Sequence, residues 1–260
     1  MSFTKLSDIN IRKKQYMEAI DFYLGNTAYP IIFAENSGTD ISEHYAKDVI
    51  NKRLEILSFE GNSNKKKGKG YGEAEIIDYV LKNSQTIKSI NGDCSIIKIT
   101  GRLIVSNINK IINTRLLFQH NSSILASFNS NFSFVDSRIF IAPIDFYKSF
   151  LHKKEEINDS NNYYFENALA DCIIKENRYR YYPFYVEPQI IGQSGTTGNY
   201  YIQQELTVNN RFRYLVHIYK TIIIFYERIS CNKIDSYILA TYKLAYHFLR
   251  IIEKAIFLIS

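Results

Sequence analysis

Short apolar runs that alternate with segments of helical periodicity limit what the first 150 residues can form. Ile31-Ile32-Phe33-Ala34 is continuous, apolar, and ends in Glu35-Asn36-Ser37-Gly38 with Asp40. LEILSF, residues 54 to 59, and the β-branched SIIKITGRLIV, residues 95 to 105, are further runs of this kind. Continuous apolar runs bounded by polar turns read as strands buried on both faces. Residues 11–24, 42–53, 73–87 and 106–118 space their apolar side chains as helices do. A further run, residues 123 to 151, holds one or two strands and then a helix. The alternation predicts an α/β architecture: a mostly parallel sheet flanked by helices.

Composition narrows the classes. The chain has 260 residues, 46% of them hydrophobic, which is enough for a large core and excludes general disorder. Cys94, Cys172 and Cys231 have no paired spacing, so neither a disulfide framework nor a zinc site is expected, and a reducing cytoplasm fits. The first 20 residues contain no apolar core of a signal peptide, and no run of 18 apolar residues marks a membrane-spanning helix. The net charge of +6 suits anionic ligands, nucleic acid or an anionic membrane surface without choosing among them.

The most suggestive stretch is KKKGKGYGEAEIIDYVLKNS, residues 65 to 84. Gly68, Gly70 and Gly72 stand among Lys65, Lys66, Lys67 and Lys69, and helical spacing begins at once with Ile76, Ile77, Val80 and Leu81. Glycines let backbone N–H groups turn towards a ligand, and a helix N-terminus adds partial positive charge. The stretch reads equally well as a phosphate cradle or as a solvated lysine loop. It is neither a Walker A sequence nor G-x-G-x-x-G.

Polar residues past the end of a buried strand, here Glu35, Asn36 and Ser37, stand where open α/β sheets bind ligands; the plain alternative is a capped turn. Gly101 interrupts its strand and suggests a bulge; in a regular strand Lys98 and Arg102 share a side. Asp136-Ser137-Arg138 places charges between apolar Phe134-Val135 and Ile139-Phe140-Ile141, which demands either an internal ion pair or a ligand, and the ligand is favoured. A second glycine-rich loop, Gly192, Gly195 and Gly198, offers to wrap a polar ligand. Residues 211 to 229 read as a helix packed on the sheet. Residues 235 to 260 form an amphipathic helix: Ile238, Tyr242, Ala245, Leu249, Ile252, Ile256 and Ile259 line one side, and Lys243, His247, Arg250 and Lys254 the other. Its basic face either stays solvated while the helix packs on the domain or docks at an anionic membrane surface.

Together, Glu35-Asn36-Ser37-Gly38, Gly68-Lys69-Gly70-Tyr71-Gly72-Glu73, Lys98-Ile99-Thr100-Gly101-Arg102 and Asp136-Ser137-Arg138 resemble bacterial glycosyltransferases of surface polysaccharide and lipopolysaccharide assembly. The resemblance covers roughly residues 30 to 145. It implies a Rossmann-like, glycosyltransferase-A-like domain over residues 1–200, with a helical C-terminal region over 201–260 packed on it. It also implies a nucleotide-sugar donor held by Glu35, Asn36, Ser37, Lys69, Gly70, Gly72, Glu73, Lys98, Arg102 and Arg138, and a glycan or glycolipid acceptor. Such enzymes use an Asp-x-Asp element to hold Mn²⁺ or Mg²⁺. Here Asp136 is the one metal candidate, because Arg138 replaces the second carboxylate. Either a metal at Asp136 or the cations Lys69, Arg102 and Arg138 would then hold the diphosphate, and the metal is favoured. Asp136, Asp145 and Glu166 are the catalytic candidates, since an inverting transferase needs a carboxylate to take the acceptor's proton. The implied location is cytoplasmic, at the inner face of the membrane. The competing readings are an inactive α/β protein that binds a partner or membrane, and a nucleic-acid-binding protein. No recognisable nucleic-acid motif supports the last, so nucleic acid is not expected as a partner.

Overall fold

The computed structural model describes residues 8–61, 64–90, 92–117, 122–195, 197–201, 207–230 and 234–259. Asn62, Thr196, Phe118 and Cys231 lie outside the described residues, as do the side chains of Ile256 and Ile259. The elements follow in the order α1 (Ile9–Asn26), β1 (Ile31–Glu35), α2 (Ala46–Ile50), β2 (Leu54–Ser58), α3 (Lys69–Asn83), α4 (Gln85–Lys88), β3 (Ser95–Ile99), β4 (Ile104–Val105), α5 (Ile108–Leu117), β5 (Ile124–Leu125), β6 (Ile139–Pro143), α6 (Ile144–Leu151), α7 (Phe165–Lys175), β7 (Tyr181–Tyr182), β8 (Ile190–Ile191), α8 (Val208–Ile224) and α9 (Ser236–Ile259). The chain is therefore mixed α/β with a helical C-terminal region.

The strands do not join into the one mostly parallel sheet that alternation predicts. Among the described residues β1 and β2 pair parallel in a sheet of their own. A four-stranded sheet has the order β3-β6-β5-β7, in which β6 is antiparallel to both neighbours and only β5–β7 is parallel. β4 and β8 form a third, antiparallel pair. Two features of the chain cause this. The run 95–105 breaks after Ile99, Leu103 N–H closes a turn on Thr100, and its two halves enter different sheets. The stretch from Ala126 to Arg138 contains no helix, so β6 returns antiparallel beside β5 without the crossover that a parallel neighbour needs.

β6 shows why its sequence is apolar throughout. Phe140 and Ala142 point into a core formed with α3, α6, α7 and α8, while Ile139 and Ile141 point into a second core under α5. All five residues are buried. In α8, Ile218 and Ile222 belong to the same core as Phe140, and a single π-helical turn, Phe225–Ile229, continues that helix. A third cluster, Ile20, Phe33, Ile41, Tyr45 and Leu54, holds α1 against β1 and β2. The abundant tyrosines serve these cores with their hydroxyls satisfied. Tyr226 Oη accepts from Tyr181 N–H and donates to the same residue's carbonyl, at 2.8 Å each. Tyr147 Oη donates to Ile96 O, and burial pushes its ionisation well above the ordinary range.

Candidate functional site

The glycine–lysine stretch takes its geometry from another part of the chain. α3 starts at Lys69, and its first free N–H groups point at Asp159 from the loop before α7. Asp159 Oδ2 accepts from Lys69 N at 2.7 Å and Gly70 N at 3.3 Å. This is the capping and dipole interaction that a bound anion would make, here supplied by a carboxylate about 90 residues away in sequence. Gly68 has φ 92° and ψ −166°, a conformation open only to glycine, and a Cβ there would reach Asp159 Cβ and Cγ at 2.5 Å. Gly70, also buried, meets Asp159 and the backbone of Phe165. Within the lysine run, Lys67 bonds the Glu155 carboxylate at 2.7 Å.

The turn after β1 is likewise closed on itself. Glu35, 8% exposed, receives Ser37 N–H at 2.9 Å and Ser37 Oγ–H at 2.5 Å on one oxygen. Its other oxygen receives Thr39 N–H and Ser58 Oγ–H, both at 2.7 Å. Asn36 O accepts from Gly61 N–H. Four donors on one buried carboxylate make Glu35 the organiser of this loop.

Beyond these two closed features, the predicted residues converge at one end of β3 and β6. Lys98 ion-pairs with Glu73 of α3, donates to Ser137 O at 2.5 Å, and lies over the rings of Phe140 and Phe165. Ser137 Oγ donates to Glu166 at 2.7 Å. Glu166 is held above the usual carboxylate range, first by burial and then by the charge of Glu73; the Ser137 bond and Lys98 offset part of this. A half-buried carboxyl with a raised proton affinity beside a second carboxylate and a lysine is the kind of group that acid–base chemistry draws on.

The other predicted cations have partners of their own. Arg102 lies in the turn after β3 and is directed away from Lys98, to Gln193 O of the glycine loop. The break at Gly101 therefore separates two side chains that a regular strand would have aligned. Arg138 stacks on Tyr201 at 4.7 Å from the same loop, and its carbonyl accepts from Thr100 N–H. Lys69 is depressed chiefly by burial; Asp159 opposes this, and the neighbouring charges of Arg102 and Arg12 add to it. Lys69 of α3 thus lies within electrostatic reach of Arg12 of α1 and Arg102 of the β3–β4 turn.

Asp136 resolves as a partner of Arg138. Its two oxygens accept from Arg138 Nε at 2.9 Å and Nη2 at 2.6 Å, and the pair holds the arginine above its ordinary ionisation range. A divalent ion does not fit this donor set, because the one candidate ligand is taken up by the guanidinium fork. Among the described residues no three His, Cys, Asp or Glu side chains gather to hold a metal. Asp145 stands apart from the centre. It opens α6 beyond the far end of β6, bonds Lys148 at 2.8 Å, and is lowered by that bond. Five β6 residues separate it from Ser137, roughly 16 Å of strand.

Sequence reasoning did not single out Arg12, Asp159 or Tyr201, and it named Ser137 only as the middle residue of Asp136-Ser137-Arg138, with no role of its own. Each depends on a partner distant in sequence, and no local pattern marks a loop aspartate that caps a helix elsewhere. Comparison with protein-family models, with curated proteins and with solved structures finds no match for this chain.

Proposed function

We propose that the chain is a glycosyltransferase that moves a sugar from a nucleoside diphosphate donor to a hydroxyl of a bacterial surface glycan. The observation that carries the reading is the meeting of Glu73, Lys98, Ser137 and half-buried Glu166, from stretches far apart in sequence, in one cluster. The parallel pair β1–β2, with α1 and α3 against β1, supports a Rossmann-like, glycosyltransferase-A-type donor half. In an inverting course the acceptor oxygen attacks the anomeric carbon and the bond from that carbon to the diphosphate breaks. The acceptor's proton passes to the Glu166 carboxylate, and the diphosphate leaves into the field of Arg102, Lys69 and Arg138. Cations do the work here that a metal does elsewhere, and Asp136 positions Arg138 for it.

Calorimetric titration of the full chain with UDP, GDP, CDP and CMP tests this. At least one is expected to give a saturable, salt-sensitive complex that EDTA leaves unchanged and Arg102→Lys weakens about tenfold, the fork being lost while the charge stays. Folded protein that binds none of the four refutes the reading. The second reading, an inactive binding protein, is favoured by one observation: the anion seat at α3 is filled by Asp159. Nucleotide binding without sugar transfer to any glycan acceptor would select it.

A further inference from the structure

α9 carries two apolar stripes, and the protein covers only one. Ile238, Leu239 and Tyr242 pack against the main core; Tyr242 meets Tyr219 at 5.7 Å between ring centroids and Tyr185 Oη at 3.4 Å. Ala245, Leu249 and Ile252 continue that line and are half-buried. Tyr237, Leu244, Phe248 and Ile251 form a second line about a third of a turn away, at 84%, 74%, 63% and 55% exposure. It runs roughly 21 Å along the helix. The basic residues anticipated from the sequence border it: Lys243, His247, Arg250 and Lys254 are all exposed. Lys243 ion-pairs with Glu227 and Arg250 with Glu253, yet both cations keep about half of their side-chain surface in solvent (52% and 46%).

We infer that α9 docks the protein on an anionic lipid bilayer, lying in the plane of its surface. Tyr237, Leu244, Phe248 and Ile251 enter the boundary between headgroups and acyl chains, and the bordering cations face lipid phosphates. Charge complementarity selects this occupant. No Asp or Glu of α9 lies on the stripe; the one acid within the described part of the helix, Glu253, is on the inward side, and Glu227 and Asp235 come from outside the helix. A second copy laid stripe to stripe would therefore offer no carboxylate from its own stripe to Lys243 and Arg250. Four large apolar side chains beside a cationic border are the composition of an interfacial helix. Among the described residues no helix is long and apolar enough to cross a membrane, so a surface position is the one this helix can take.

The inference is independent of the proposed transferase activity. The full chain is tested by co-sedimentation with vesicles of equal parts phosphatidylglycerol and phosphatidylcholine, and with phosphatidylcholine alone. Wild type is expected to bind the mixed vesicles, to bind less at high salt, and to leave neutral vesicles in the supernatant. The triple variant Leu244→Asn, Phe248→Asn, Ile251→Asn is expected to bind at least tenfold more weakly. Lys243→Gln with Lys254→Gln is expected to lose roughly fivefold per cation. All three positions of the triple variant face outward, so unchanged circular dichroism and unchanged nucleotide titration accompany the loss. Equal vesicle binding by the triple variant overturns the inference, as does a wild type that ignores anionic vesicles. A wild-type dimer in sedimentation equilibrium that the triple variant converts to monomer, with no vesicle binding by either, overturns it in favour of a second copy.

Discussion

Replacing Gly68 by alanine separates the two readings of the glycine–lysine stretch most sharply. If the glycines exist to let a phosphate approach, the folded protein tolerates a methyl group there and only ligand binding suffers. The geometry argues otherwise. At φ 92° and ψ −166° the residue occupies a region that L side chains avoid, and holding alanine there costs about 1–3 kcal/mol. The new Cβ would also reach Asp159 Cβ and Cγ at 2.5 Å, forcing that residue away from α3. Losing the carboxylate from Lys69 N and Gly70 N removes a helix cap, worth about 1 kcal/mol. The sum, about 3 kcal/mol, corresponds to a fall in Tm of about 6–12 °C for a chain of this size. Thermal and urea denaturation measured without any ligand provide the assay. Asp159→Ala alone is expected to lose the cap term only, and Gly68→Ala in that background to keep the backbone term and the contact with Cβ of residue 159, with no cap left to lose. The double variant should therefore be more stable than the sum of the single effects implies. A Gly68→Ala protein within 0.5 kcal/mol of wild type (roughly the ordinary scatter of surface substitutions) would refute the packing argument and return the loop to ligand binding.

Two further substitutions test the neighbouring features. Glu166→Gln is expected to abolish sugar transfer while raising stability at neutral pH. The native pKa of Glu166 is raised, so its stabilising contribution is complete below the unfolded value near 4.5 and is lost as pH rises through the native value; the gain over wild type should therefore vanish in acid, as denaturation at pH 4 and pH 7 will read. Glu35→Gln leaves the side chain one oxygen for four donors, so a loss of about 1–3 kcal/mol in urea denaturation is expected; an unchanged midpoint would show that the turn after β1 does not depend on this carboxylate.

Local pattern was enough wherever an element is decided by its own residues. The apolar run 31–34, the helix after Gly68, the helical 211–229 and the inward stripe of α9 all follow from periodicity, because burying one face is a property the segment carries with it. Strand partners were not legible. Whether β3 lies parallel or antiparallel depends on how the chain returns after Thr100 and after β5, which no spacing within β3 records. The same limit divides the site residues. Asp136 and Arg138 are two apart and could be read as a pair from the sequence alone; Asp159 on α3, Glu73 on Lys98 and Glu166 on Ser137 could not. A carboxylate answers whatever positive group the fold brings to it, and sequence distance carries no information about that meeting. The glycines and lysines of residues 65–72 thus determined only that a tight, positively polarised turn would open a helix. The tertiary structure decided which anion would face it, because Asp159 arrives from the loop before α7, a meeting that no spacing within residues 65–72 records.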